Sequence, residues 1–210
     1  MKSVGRTLAM ALLMVLAGFG GGCPYQPKSD LLLAVDGATP FSSNAGGMLW
    51  HVETAQTVYL RVIINVPGSE GADREWYDLE VRFDQAFFES AKAPLKLEIA
   101  GAVSGESRAY NDITQKFEPG AGHDSRVTGV FLHRNRGTNA TEPTAFSCVV
   151  HGSLTFDQLE WETSPSWHNP KLLATIDLST QGGLPSESPT ANVQTHLTGT
   201  IGAYVDSPGY

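Results

Sequence analysis

Apolar and polar residues alternate with a period of two through most of the chain after residue 30. In TVYLRVIINV one face is wholly apolar: Val58, Leu60, Val62, Ile64 and Val66. The same alternation recurs in WYDLEVRF, LKLEIAGAV, AFSCVVHGSLTF, LLATIDLS and VQTHLTGTIGAYV, and shorter strands are predicted in LLLAV, LWHVE and VTGVFLH. A strand with one apolar and one polar face lies half-buried in a sheet.

Clusters of Gly, Pro, Asp and Ser separate these segments, as in PGSEGADR, EPGAGHDS and QGGLPSESP. Only DQAFFESAK, residues 84–92, is suited to a helical turn or two. About eight to ten strands with little helix predict an all-β fold. We therefore expect one antiparallel β-sandwich, Ig-like or jelly-roll-like, over residues 31–210.

The first 22 residues have the layout of a secretory signal peptide. Lys2 and Arg6 precede an apolar run of 13 residues, 7–19, and three glycines follow. That run is shorter than the roughly 20 residues that a membrane-spanning helix needs. The sequence therefore predicts an exported chain from which residues 1–22 are removed.

Cys23 directly follows Gly20, Gly21 and Gly22. This ending resembles the type II signal peptide of bacterial lipoproteins, although that class usually carries Leu where Gly20 stands. The resemblance implies acylation of Cys23, a short tether over residues 23–30, and attachment to a membrane through the lipid. Pro24 in place of an Asp implies the outer membrane or the cell surface. The alternative is a soluble secreted or periplasmic protein released by an ordinary signal peptide.

The second cysteine, Cys148, shares the apolar face of its predicted strand with Val150, Leu154 and Phe156. A small apolar thiol at such a position is expected to be buried and inert. If Cys23 is retained without lipid, a disulfide between Cys23 and Cys148 is the alternative.

The charge balance excludes some partners. Cleavage removes Lys2 and Arg6 and no acid, so 12 of the 14 basic side chains remain against 22 acidic ones, a net charge of −10. Phosphate backbones and anionic headgroups are repelled by such a chain, so we expect no nucleic acid and no direct binding to lipid surfaces.

Sequence motifs for catalysis are missing: the chain has no G-x-S-x-G, H-E-x-x-H, P-loop or G-x-G-x-x-G motif. We expect no enzyme and no cofactor; a hydrolase or metal-dependent enzyme with an unrecognised site is the less favoured alternative. His151 and His196 occupy polar positions of two strands, where a carboxylate such as Asp157 or Asp177 could join them at zinc or copper. Without tight ligand spacing they are weak metal candidates, and solvent-facing histidines are the preferred interpretation.

The tryptophans suggest a binding surface. Trp76 falls on the polar face of its strand, Trp167 lies in the loop SPSWHNP, and Trp161 follows Glu160. An exposed indole can stack on a sugar ring or hold an apolar partner group. The favoured hypothesis is a non-enzymatic, lipid-anchored envelope protein that binds another envelope or surface component. A carbohydrate-binding module that uses these tryptophans is the alternative.

Overall fold

A computed structural model describes residues 29–43, 49–53, 57–69, 74–109, 112–135, 144–159, 172–184 and 192–203. Within these ranges the chain forms eleven strands and one helix, α1 (Gln85–Ser90). The strands are β1 (Asp30–Val35), β2 (Phe41–Ser43), β3 (Leu49–Glu53), β4 (Thr57–Asn65), β5 (Trp76–Asp84), β6 (Leu95–Ala109), β7 (Asp112–Pro119), β8 (Val127–Asn135), β9 (Thr144–Leu159), β10 (Leu172–Gly182) and β11 (Gln194–Ala203).

The strands form two antiparallel sheets. The large sheet has the order β2-β1-β11-β10-β9-β6-β7, and the small sheet has the order β3-β4-β5-β8. The predicted all-β sandwich is therefore confirmed, while its Ig-like or jelly-roll-like type stays a prediction. Among the described residues there is one strand more than the predicted maximum, because β2 and β7 lie in segments that were not assigned as strands.

The core lies between the two sheets and contains the apolar faces that the alternation predicts. On β4 the inward residues Val58, Leu60, Val62 and Ile64 are almost fully buried, and on β10 Leu172, Ala174, Ile176 and Leu178 are too. Cys148 is 2% exposed on the inward face of β9, as expected for a core thiol. Period-two alternation thus fixes which side of each strand packs inward.

Helix α1 closes one end of this core. Asp84 caps it by accepting a hydrogen bond from the Phe87 N–H at 2.8 Å. Phe88 then packs against Phe83 and Phe156, with ring centroids 5.5 and 5.8 Å away. Burial of each such ring stabilises the fold by about 1.5–3 kcal/mol. The helical turn expected in residues 84–92 is confirmed.

Two glycines let neighbouring strands approach closely within the large sheet. Gly152 on β9 and Gly199 on β11 face β10 from its two sides, opposite Leu178 and Ile176. Both have positive φ, 149° and 132°. A Cβ at Gly152 would lie 2.0 Å from the Asp177 carbonyl oxygen, and one at Gly199 would lie 2.0 Å from that of Asp30. Only glycine is compatible with both positions.

The sandwich is joined along one side, where β7 of the large sheet lies near β8 of the small sheet. The Gln115 side chain donates from Nε2 to the Leu132 carbonyl oxygen at 2.6 Å and accepts from the Leu132 N–H at 3.1 Å. This amide replaces a neighbouring strand at one position and satisfies both backbone groups on the outer edge of β8.

Candidate functional site

The outer face of the large sheet is the side that points away from the core. Among the described residues, three large apolar side chains are strongly exposed: Leu32 at 43%, Val149 at 54% and Leu173 at 39%. All three lie on this face, since each stands at an outward position of its strand, next to buried inward neighbours. The pairing register spaces them four residues apart along β10, level with Leu173, Asp177 and Gln181, so they lie singly across the face as three separate apolar contact points.

The outer face of the large sheet is also acidic. Its outward carboxylates among the described residues are Asp30, Glu98, Glu106, Asp112, Glu118, Asp157 and Asp177, and its cations are Lys96, Arg108 and Lys116. Lys96 pairs with Glu98 and Lys116 with Glu118, each at 2.7 Å. Seven acids against three bases leave a net charge of −4 if both histidines are neutral. A cationic surface is electrostatically complementary to such a face.

A groove of about 380 Å³ lies in this face, and we call it the histidine groove. It runs across β1, β11, β10 and β9, and its outward lining consists of Ala34, His196, Ser179, His151, Gln181 and Gln194. Ser179 on β10 lies directly opposite His196 on β11 and directly opposite His151 on β9. The groove forms because the short side chains of Ala34 and Ser179 alternate with the two imidazoles in one cross-strand row.

One imidazole of the histidine groove is held in place by a carboxylate. Asp177 stands two residues before Ser179 on β10, and its Oδ1 lies 2.8 Å from His196 Nε2. Because an ionised carboxylate only accepts hydrogen bonds, Nε2 carries the proton. In the neutral imidazole, Nδ1 of His196 therefore keeps its lone pair.

The described residues offer no catalytic triad and no three-ligand metal site here. No hydrogen bond within them joins Ser179 to either imidazole, and no group of three or more His, Cys, Asp or Glu side chains converges as metal ligands. Asp157, the other carboxylate considered from the sequence, accepts a hydrogen bond from the Thr175 hydroxyl at 2.9 Å. The two histidines do share one groove, which the sequence left open.

Of the three tryptophans singled out from the sequence, the structure describes Trp76 alone, and it does not lie on this face. Trp76 lies half-buried on the small sheet, and the Arg74 guanidinium lies over its ring, 5.1 Å from the centroid. A cation on one ring face takes the place that a sugar would occupy there. Trp161 and Trp167 lie outside the described residues, and the carbohydrate hypothesis stays a prediction.

The small sheet carries a buried polar group that the sequence did not reveal. Asp78 on β5 lies opposite His133 on β8, and each is only 4% exposed although both stand on the side away from the core. Arg61 donates from Nε to both Asp78 carboxylate oxygens at 3.0 Å. Burial lowers the pKa of His133 below its usual value; the Asp78 charge raises it and the Arg61 charge lowers it.

The amino-terminal predictions lie outside the described residues, because Cys23 and the whole of residues 1–28 fall there. Helix α1, the one helix within the described ranges, does not have the length and hydrophobicity needed to cross a bilayer. Comparisons of the chain with protein-family models, with curated proteins and with solved structures gave no match.

Proposed function

We propose that this chain is an exported, lipid-anchored envelope protein without enzymatic activity, which binds a positively charged partner through the outer face of the large sheet. The anchor is supported by the basic residues, short apolar run and glycines that precede Cys23. Two or more acyl chains on one cysteine hold a protein stably on a membrane.

The observation that carries the binding role is the coincidence of two properties on one face. Leu32, Val149 and Leu173 are exposed there, and the same face carries a net charge of −4. Apolar contacts supply affinity, while the acidic side chains distributed over the same face attract and orient a cationic partner. The partner is therefore a protein or polymer with a basic surface, presented at the envelope.

Site-specific photocrosslinking in cells of the source organism tests this role. A photoreactive residue at Val149 should capture one reproducible product, whereas the same residue at Ala86, exposed on α1, should not. Asp177→Lys should reduce the Val149 product several-fold, and added salt should do the same. A product that forms equally from Ala86, or one that is insensitive to Asp177→Lys, would contradict the proposal.

The anchor is tested separately by metabolic labelling with a fatty acid. The mature protein should carry label, and Cys23→Ser should remove it and release the protein from the membrane fraction. An unlabelled wild-type protein in the soluble fraction would instead indicate the secreted or periplasmic alternative.

A further inference from the structure

We propose that His151 and His196 together bind one divalent transition-metal ion above Ser179, in the class of zinc, copper and nickel. The inference does not depend on the partner proposed above, since both ligands belong to this chain.

The strand register places the Cα atoms of the two histidines at a separation that one metal ion can bridge. His151 and His196 flank Ser179 on the two sides of β10, so their Cα atoms are about 10 Å apart, one wide and one narrow antiparallel spacing. A tetrahedral zinc with bonds of 2.0–2.1 Å holds two ligand nitrogens about 3.4 Å apart. The His151 side chain is exposed, so it can lean over the short Ser179 side chain by rotation about its own bonds toward His196, whose ring keeps its contact with Asp177.

The contact between Asp177 and His196 prepares one ligand. The Asp177 carboxylate accepts a hydrogen bond from His196 Nε2 at 2.8 Å, so the proton of the imidazole is on Nε2. The lone pair of Nδ1 is then available to a metal ion. A carboxylate that accepts from the second nitrogen of a ligating histidine is the usual outer contact at metal sites, where it orients the ring and raises its basicity. Asp177 thus acts as a positioning residue and not as the third ligand.

The ligand type selects the class of ion. Imidazole nitrogen suits zinc, copper and nickel, whereas calcium and magnesium require several oxygen ligands. The −4 charge of the surrounding face attracts cations in general and does not distinguish between these classes. Two protein nitrogens leave the remaining coordination positions to water.

Calorimetric titration of the purified full chain with zinc chloride tests the site, with calcium and magnesium chloride as negative controls. We expect one equivalent of zinc and no binding of the two controls. His151→Ala and His196→Ala should each weaken zinc binding at least a hundredfold, and Asp177→Ala about tenfold with unchanged stoichiometry. Thr198→Ala, on the same strand and face as His196, is the matched control and should change nothing.

Thermal unfolding provides a second readout that also reveals a misfolded variant. Zinc should raise the melting temperature of the wild type and of Thr198→Ala, but not that of either histidine variant, whose metal-free melting should equal that of the wild type. The site is refuted if either histidine variant binds zinc as tightly as the wild type. Because the titration contains no partner, and crosslinking can be run with a chelator present, either proposal can fail while the other stands.

Discussion

Asp78 and His133 face each other on β5 and β8, and both are buried on the side of the small sheet that points away from the core. Arg61 completes this group by binding both carboxylate oxygens of Asp78. A charged pair beside a buried imidazole makes the stability of the fold dependent on pH.

Acidification should destabilise the protein through His133. Its pKa is lowered in the folded state, so between about 6.5 and that lower value the unfolded chain binds a proton that the native chain does not. The contribution of His133 to the free energy of unfolding is therefore fully present above about pH 6.5. Below that pH it declines, by at most about 1.4 kcal/mol per pH unit for one proton. Urea unfolding between pH 7.5 and 5 measures this decline, and His133→Gln should make it shallower; an equal slope in the variant would exclude His133 as its source.

Loss of Arg61 should cost more stability than loss of Asp78. Arg61→Met leaves a carboxylate that is 4% exposed without its paired cation, for which about 3–5 kcal/mol is typical. Asp78→Asn leaves a guanidinium whose side chain is 27% exposed and which water can reach. Denaturant unfolding of both single variants and the double variant gives the coupling energy. If Asp78→Asn were the more costly, solvation of Arg61 would be the wrong explanation.

Gly152→Ala and Gly199→Ala should each destabilise the protein by at least about 3 kcal/mol, because strain at positive φ adds to contact with a carbonyl oxygen. Gly120→Ala is the matched control, since its Cβ would meet no atom closer than 3.5 Å. Melting temperatures of the three variants measure the difference. Similar melting temperatures for all three would mean that β9 can move away from β10 and β11 away from β1.

Gln115→Leu should cost about 1–3 kcal/mol, because the Leu132 N–H and carbonyl oxygen lose the amide that bonds both. Gln115→Glu retains an acceptor for the N–H but cannot donate to the oxygen when ionised, so it should recover only part of the loss. Thr114→Ala, at the exposed neighbouring position on β7, controls for strand propensity. Chemical denaturation should give a free energy of unfolding that is highest for the wild type and Thr114→Ala, lower for Gln115→Glu and lowest for Gln115→Leu. If Gln115→Leu were as stable as the wild type, the Gln115 amide would have no structural role.

The faces of the strands were predictable from the sequence, whereas the contacts between strands were not. Leu97 and Ile99 were expected to be buried because inward residues alternate along a strand, and both are. The same rule places Asp78 on the polar face and gives no indication of its burial. Its contacts with Arg61 and His133 depend on pairing between strands that are 17 and 55 residues apart in sequence.

The histidine groove was only half predictable. Both histidines were assigned to polar faces, where the structure places them. Their position on either side of Ser179 follows from the order β9-β10-β11, which no local pattern encodes.

Strand β7 was missed because its two core-facing apolar residues, Ile113 and Phe117, lie between turn-forming clusters that dominate the local composition.

The place of β1 in the large sheet has a consequence for how the polypeptide folds. β1 pairs with β11, so Asp30 lies opposite Thr200, and among the described strands β2 pairs with β1 alone. β1 and β2 therefore cannot join the large sheet until β11 has been synthesised. Folding that depends on contacts between residues so far apart in sequence is slow. If the chain is exported amino terminus first, as proposed above, the edge of β1 stays unpaired until β11 has followed, and a factor that shields this edge would raise the yield of folded protein.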